Sequence, residues 1–234
     1  FETRHPLVRL CRHNRIADEV FERGEKASVP HGSDFAIPLM SIPGRLQHSI
    51  GQIPKNVPYL RPSSSAVQKW RRLLSQDRPK VGLIWSGRPT RAIEAPGLRG
   101  RSCGLAALKP LVEAHPEIDF IGLQMGPAAE EADALRVKFQ NLGSRLAGFD
   151  DTAGLIAHMD LVISVDTAMA HLAGALDKPV WILLQHVGDW RWMLNRTDSP
   201  WYPSARLFRQ SAPGDWESVV DQISKLLNRL PSVS

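Results

Sequence analysis

The stretch Leu161–Trp192 reads LVISVDTAMAHLAGALDKPVWILLQHVGDWRW, and it decides the fold. An apolar strand over Leu161–Val165 stops at an Asp-Thr pair, and a helix of small residues follows over Ala168–Leu176. A second apolar strand covers Val180–Leu184. This β-α-β unit collects polar groups at the carboxyl end of its first strand, the edge where open α/β sheets bind ligands. The sequence therefore predicts a parallel sheet with a ligand site at this edge.

The start of the predicted helix has the features of an anion site. Thr167 stands at the N-cap position, where its hydroxyl accepts from an amide two or three residues further on. The other first-turn amides, among Ala168, Met169 and Ala170, are expected to stay unpaired. Free N–H groups at the positive end of a helix dipole suit a phosphate.

Two ionisable side chains flank this helix start. His171 follows Thr167 by four residues, about one helical turn, so it is expected to point into the same crevice. Asp166 ends the strand and faces the mouth of the crevice. A carboxylate repels phosphate, so Asp166 is expected to accept from sugar hydroxyls or to orient His171. Taken singly, an Asp-Thr pair is most often a helix cap and a helical histidine is most often structural; their combination favours a ligand site.

The run Asp166–Pro179, DTAMAHLAGALDKP, resembles the signature of glycosyltransferase family 9, the heptosyltransferase-like enzymes, D-T-[AG]-x-x-H-[LI]-A-x-A-L-x-[KR]-P. It is most similar to the branch found behind tetratricopeptide repeats, which also carries D-W-R-W, S-P-W-Y-P and P-G-D-W. Those motifs stand here at Asp189–Trp192, Ser199–Pro203 and Pro213–Trp216. The resemblance implies a GT-B architecture, in which two Rossmann-like domains face a cleft, and a metal-independent reaction without a cofactor.

The resemblance also implies roles for particular residues. The backbone of Thr167, Ala168 and Met169 would hold the diphosphate of a nucleotide-sugar donor, and Asp166 and His171 would contact the donor's sugar or phosphate. Many heptosyltransferases have glycine where this chain has Ala168, which leaves the identity of the donor open. Transfer would be inverting, with a base deprotonating the acceptor hydroxyl as the nucleoside diphosphate leaves.

A loop rich in arginine and glycine follows the first strand of the same domain, between Ser86 and Cys103. Guanidinium groups bind phosphate oxygens through two N–H groups, and glycine permits close approach. We expect Arg101 to contact the donor diphosphate and Ser86 to line the site. The alternative is a solvated loop. Its other arginines are Arg88, Arg91 and Arg99.

Two further segments are expected to border the donor. Gln124 ends the next strand and would lie beside the nucleotide base, although a simple strand-to-helix turn is an equal interpretation. Trp190 and Arg191 follow the strand Val180–Leu184 and would stack on sugar and bind phosphate. A core position for one of the tryptophans in this motif is the alternative.

The chain divides into three predicted parts. Residues 1–62 form a partial, acceptor-side α/β domain, residues 63–79 a linker with a connecting helix, and residues 80–234 a Rossmann-like domain that binds the nucleotide sugar. The predicted helices are His5–His13, Ala66–Leu74, Leu105–Ala114, Ala128–Asn141, Thr152–His158, Ala168–Leu176 and Asp215–Leu230. The predicted strands are Ala17–Phe21, Asp34–Leu39, Val81–Trp85, Ile118–Leu123, Leu161–Val165, Val180–Leu184 and Arg206–Arg209.

Composition narrows the classes of protein. A chain with 43% apolar and 23% charged residues is typical of a globular protein. The net charge of +5 comes without a nucleic-acid-binding motif, so a small anionic ligand is the preferred explanation. No run approaches the roughly 18 apolar residues of a membrane span, and a cytoplasmic location is expected. Cys11 and Cys103 indicate neither a disulfide framework nor a metal site.

The leading interpretation is a glycosyltransferase that moves a sugar from a nucleotide-diphosphate sugar to an acceptor hydroxyl, with this chain holding mainly the donor site. No glycine-acid loop of the kind that carries the family's base occurs between Phe1 and Leu60, so we expect the base in an N-terminal segment absent from this chain. The alternative is a degenerate, non-catalytic interaction module of a repeat protein. A dinucleotide-binding dehydrogenase is disfavoured because no strand is followed by G-x-G-x-x-G. The acceptor, a homodimer and tetratricopeptide repeats elsewhere in the full-length protein are left open.

Overall fold

The computed structural model describes residues 1–24, 34–75, 77–87, 100–137 and 139–228. Its centre is a six-stranded, wholly parallel sheet. The strands are β3 (Lys80–Ile84), β4 (Asp119–Gly122), β5 (Gln140–Asn141), β6 (Leu161–Val165), β7 (Val180–Leu184) and β8 (Ala205–Arg209). Their order across the sheet is β5-β4-β3-β6-β7-β8. Every residue of β3 and β6 is buried, as expected for a parallel sheet covered on both faces.

Helices cover the two faces of the sheet. One face carries α3 (Ser64–Arg71), α6 (Phe149–Ile156) and α7 (Ala168–Ala175), and the other carries α4 (Leu105–Ala114), α5 (Glu131–Ala134) and α8 (Trp216–Leu227). Each face encloses its own apolar core, and the side chains of successive strand residues alternate between the two cores. The sheet and its helices therefore form a three-layer α/β unit.

The order of the strands creates a topological switch point. From β3 the chain builds outward through β4 and β5, then returns to add β6, β7 and β8 on the opposite side of β3. The connections that leave β3 and β6 therefore lead in opposite directions along the sheet, toward β4 and toward β7, and the crevice expected between such connections lies at the carboxyl edge of the sheet. Ligands of open α/β sheets bind at such a point.

The first part of the chain packs against the helix that precedes β6. It contains a parallel pair, β1 (Glu2–Thr3) with β2 (Phe21–Glu22), and the helices α1 (His5–His13) and α2 (Ile42–Arg45). Both α1 and α3 contact α6. The approach of α3 is close, because a methyl group added at Gly154 of α6 would lie 2.6 Å from the Ala66 carbonyl carbon of α3.

A buried carboxylate joins these segments. Asp150, at 2% exposure, accepts from the Ser63 amide at 2.9 Å and from the Ser63 hydroxyl at 2.7 Å. Its Oδ2 also lies 3.0 Å from Nε of Arg9 on α1. The neighbouring Asp151 binds Nζ of Lys69 at 2.7 Å. The acidic first turn of α6 therefore anchors both α1 and the start of α3.

Most predicted elements are confirmed, and four are corrected. The predicted strand Ala17–Phe21 is wrong except at its last residue, because β2 is only Phe21–Glu22 and its partner β1 offers only Glu2–Thr3 for pairing. Asp34–Leu39 forms no strand, because its proline at position 38 leads into a 3₁₀ turn at Leu39–Ser41. The predicted helix Ala128–Asn141 ends at Ala134, since Arg136 adopts a φ of 49°, and the segment then supplies β5. The predicted helix Thr152–His158 begins three residues earlier, at Phe149, and ends at Ile156.

Candidate functional site

The candidate site lies at the switch point, where the ends of β3 and β6 meet. A methyl group added at Gly87 would lie 3.6 Å from Cγ2 of Thr167 and 3.8 Å from the Asp166 carbonyl oxygen, so the two loops are in contact range. Ser102 fixes the far end of the β3 loop to its start: its hydroxyl accepts from the Gly87 amide at 3.0 Å and lies 3.1 Å from the Ser86 hydroxyl. Ser86 and Arg101 are thereby brought to one place.

Thr167 caps α7 as predicted, but its oxygen atoms accept hydrogen bonds from more first-turn amides than expected. Its hydroxyl accepts from the Met169 amide at 3.3 Å, and its carbonyl accepts from the Ala170 amide at 3.1 Å. The Met169 contact is the predicted cap, whereas the expectation of a free amide is wrong for Ala170, which donates to the Thr167 carbonyl. Within the residues that the structure describes, the amide of Ala168 forms no hydrogen bond. One N–H group at the positive end of α7 is thus open to a ligand.

Arg101 and Asp166 form an ion pair across the switch point. Nη1 of Arg101 lies 3.8 Å from Oδ2 of Asp166, which is a loose pair. The Asp166 side chain is nearly buried, whereas that of Arg101 is 38% exposed. The guanidinium therefore compensates a buried carboxylate and still presents N–H groups to solvent, where an anionic ligand can reach them.

His171 points into the same region. Burial is the main cause that lowers its pKa, while Asp166 opposes this effect and Arg191 adds to it. Its Nδ1 lies 3.0 Å from the Tyr202 hydroxyl, and its ring stacks on Trp192 with centroids 5.0 Å apart. The imidazole is consequently held on one side, and its lowered pKa favours the neutral form at pH 7.

Gln124 has a scaffolding position at the end of β4. It is 5% exposed, and its Oε1 accepts from the amides of Trp85 and Ser86 at 3.2 and 2.9 Å. Its Nε2 donates to the Met125 carbonyl at 2.9 Å. The side chain thus connects the end of β4 to the start of the β3 loop through hydrogen bonds.

The D-W-R-W segment divides into an exposed and a buried part. Trp190 is 61% exposed, and the Arg191 guanidinium lies over its ring at 4.9 Å. Arg191 also pairs with Asp189, with Nη1 2.8 Å from Oδ1. Trp192 is fully buried against His171 and Tyr202, so it is the tryptophan of this motif with a core position.

Three further observations concern metal sites, membrane spans and the arginines of the β3 loop in the described part of the chain. It contains no group of three His, Cys, Asp or Glu side chains arranged to hold a metal ion. None of its helices is long and apolar enough to cross a membrane. The arginines at positions 88, 91 and 99, which were predicted to share the loop with Arg101, lie outside the described residues.

A comparison with protein families supports the resemblance seen in the sequence. Residues 121–186 match the family model described as Glycosyltransferase family 9 (heptosyltransferase). The matched segment runs from the end of β4 to the loop after β7. It contains Gln124 and the Asp166–His171 unit, and it leaves out Arg101 and the D-W-R-W segment.

Curated proteins and solved structures extend this comparison. The chain is 30% identical to protein FlbA of Caulobacter vibrioides over 238 residues, which cover 97% of this chain and 39% of FlbA. The chain therefore spans well under half of that relative's length. Among solved structures, E. coli ADP-heptose LPS heptosyltransferase II matches with a TM-score of 0.51 and 16% identity, over 73% of this chain and 53% of that enzyme. This likeness confirms the predicted α/β, GT-B-like fold class.

A family 9 glycosyltransferase from Veillonella parvula is also similar, with a TM-score of 0.48 and 11% identity, over 74% of this chain and 46% of that protein.

Proposed function

We propose that this chain holds the donor site of a family 9 glycosyltransferase and binds the diphosphate of a nucleotide sugar at the switch point. The observation that carries the proposal is the meeting of Arg101, Asp166 and the open amide of Ala168 at one place. An arginine and a helix N-terminus form a phosphate site, and an adjacent carboxylate suits sugar hydroxyls.

Each residue then has a distinct task. The Ala168 amide and Arg101 bind phosphate oxygens and stabilise the charge that develops on the leaving nucleoside diphosphate. Asp166 accepts hydrogen bonds from the donor sugar, and neutral His171 donates or accepts without adding charge. Trp190 and Arg191, whose guanidinium lies over the Trp190 ring, are expected to border the crevice and to offer a stacking surface.

The reaction that fits this donor site is sugar transfer to an acceptor hydroxyl. A base deprotonates the hydroxyl, its oxygen forms the new bond to the anomeric carbon, and the bond to the nucleoside diphosphate breaks. The proposal involves no cofactor and no metal, because Arg101 and the α7 amide supply the positive charge.

Calorimetry with ADP, UDP and GDP sugars, ADP-heptose among them, tests the proposal. At least one of them should bind, and Arg101→Gln should weaken its binding about 10- to 100-fold, as expected for a charge-assisted hydrogen bond worth about 1.5–3 kcal/mol. Arg78→Gln is the matched control, since Arg78 lies before β3, at the opposite edge of the sheet, and pairs loosely with Asp119.

Two outcomes count against the proposal. Absence of binding by any of these sugars to the folded protein contradicts a donor site. An equal loss of affinity in Arg101→Gln and Arg78→Gln contradicts the location given for it. Binding without turnover in a longer chain would favour the alternative, a non-catalytic interaction module.

A further inference from the structure

Tyr202 belongs to the S-P-W-Y-P segment, to which the proposed donor site gives no role. It is 8% exposed and lies against α7, the helix that begins at the donor site. Its hydroxyl is 3.0 Å from Nδ1 of His171. A buried hydroxyl that reaches a site histidine from 31 residues away in the sequence is a candidate for holding that histidine in place.

The contact depends on Gly174 in α7, which has no side chain where the Tyr202 ring lies. A methyl group added at Gly174 would lie 2.3 Å from Cγ of Tyr202 and 2.5 Å from Cδ1, distances that real side chains do not adopt. Glycine is unfavourable inside a helix by roughly 0.5–1 kcal/mol relative to alanine. Here it allows the Tyr202 ring to lie on the helix surface, one turn after His171.

The imidazole is enclosed on two sides. Its face stacks on Trp192 with an interplanar angle of 18°, and its edge at Nδ1 meets the Tyr202 hydroxyl. The charges that act on it are those of Asp166, Arg191, Asp189 and Arg101, which surround the switch point. Nδ1 is engaged by Tyr202, and Nε2 has no hydrogen-bond partner among the residues that the structure describes. Nε2 is therefore the ring nitrogen that can contact a ligand.

We propose that Tyr202 is a positioning residue that holds His171 through Nδ1, so that Nε2 is presented to the donor's diphosphate or sugar. The proposal rests on the proposed donor site for its ligand, but the hydrogen bond itself exists without one. The hydrogen bond made by one ring nitrogen of a histidine determines the protonation of the other nitrogen.

A double-mutant cycle tests whether Tyr202 acts through His171. Binding of ADP, with UDP and GDP in parallel, is measured for the wild type, Tyr202→Phe, His171→Leu and the double variant. Tyr202→Phe should weaken binding about 3- to 10-fold in the wild type and less than about twofold in the His171→Leu background, because coupled residues are not additive. Equal losses in both backgrounds, or no loss in the wild type, overturn the proposal.

A ligand-free measurement separates this proposal from the proposed function. NMR titration of the His171 ring protons should give midpoints that differ by at least about half a pH unit between the wild type and Tyr202→Phe. Thr152→Val removes another buried hydroxyl, one bonded to the Gly148 carbonyl at 2.9 Å on α6, and should leave the titration unchanged.

An unchanged titration in Tyr202→Phe, or an equal change in Thr152→Val, overturns the positioning role. If no nucleotide binds the wild-type protein while the Tyr202→Phe titration moves as expected, the donor site fails and the Tyr202 contact stands.

Discussion

Replacing Gly154 by alanine should destabilise the protein, because it forces α3 away from α6. The added Cβ would lie 2.6 Å from the Ala66 carbonyl carbon, 2.7 Å from its Cβ and 2.8 Å from its oxygen. Two of these three atoms are backbone, so no side-chain rotation relieves the clash. Overpacking of this kind costs about 1–3 kcal/mol.

The helix propensity of alanine returns part of that cost, roughly 0.5–1 kcal/mol. A net loss of about 0.5–2 kcal/mol corresponds to a fall in Tm of roughly 1–8 °C for a chain of this size. Circular dichroism during heating measures Tm, and urea unfolding provides an independent measure of the free energy of unfolding.

Gly44→Ala is the matched control. Gly44 lies in α2, and a methyl group there would have no neighbour within 4 Å in the described part of the chain. The control should leave Tm unchanged or raise it slightly, by the gain of about 0.4–1 kcal/mol expected at a compatible site. A Tm for Gly154→Ala at or above that of the wild type would refute the close packing of α3 on α6.

Three further predictions concern ionisable groups. Burial lowers the pKa of His171 below its ordinary 6.5, so stability present above pH 6.5 should decline as the pH falls toward the folded-state pKa, and urea unfolding of His171→Leu should show a flatter decline between pH 7 and 5. Asp150→Asn should cost about 1–3 kcal/mol in urea unfolding, because Asp150 anchors α1 and α3, whereas the exposed Asp177→Asn should stay within about 0.5 kcal/mol; equal effects would contradict the anchor. Burial raises the pKa of the Cys103 thiol to about 12 and that of Cys11 in the same direction, so both thiols should react with a thiol reagent at pH 8 far more slowly in the folded protein than in urea, and rapid labelling of the folded protein would contradict the raised pKa values.

The unit from β6 to β7 was predictable because local rules and packing agree there. Both strands are runs of apolar residues that a doubly covered sheet buries, and Thr167 supplies the expected cap. The segment from residue 34 to residue 62 has no such agreement. Its prolines at positions 38, 43, 54, 58 and 62 restrict the backbone, and the apolar side chains of Phe35, Leu39 and Met40 are exposed.

The meeting of the residues after β3 and β6 followed from the sequence, and the hydrogen bonds around that point did not. The order of strands and helices implies a switch point, and the residues after β3 and β6 meet there. Thr167 accepts hydrogen bonds from the amides of both Met169 and Ala170, and this depends on the geometry of the first turn of α7. The scaffolding position of Gln124 depends on a contact between strands 39 residues apart.

One feature of the sequence, Gly174, indicates that another group packs closely on α7 near His171. Gly174 interrupts a helix of alanine and leucine, and an internal glycine at that position indicates close approach by another group. Which group approaches cannot be read from spacing, because the segment after β7 reaches α7 only through the tertiary fold. The anchoring of Ser63 by Asp150, 87 residues away, is hidden from the sequence for the same reason.

The central claim is that the amide at the start of α7 binds the donor's diphosphate, and Ala168→Pro tests it most directly. Proline removes that one N–H group at a helix position that tolerates it, and the preceding Thr167 is extended, with φ −140° and ψ 169°, as proline requires. Ser64→Pro at the first position of α3 controls for the backbone change, since Ser63 is also extended.

Calorimetry should show that Ala168→Pro loses about 10-fold or more in affinity for the nucleotide sugar that binds the wild type, whereas Ser64→Pro and the bulkier Ala168→Val, which retains the N–H group, lose much less. An Ala168→Pro variant that is folded and binds the nucleotide sugar as tightly as the wild type would contradict the account.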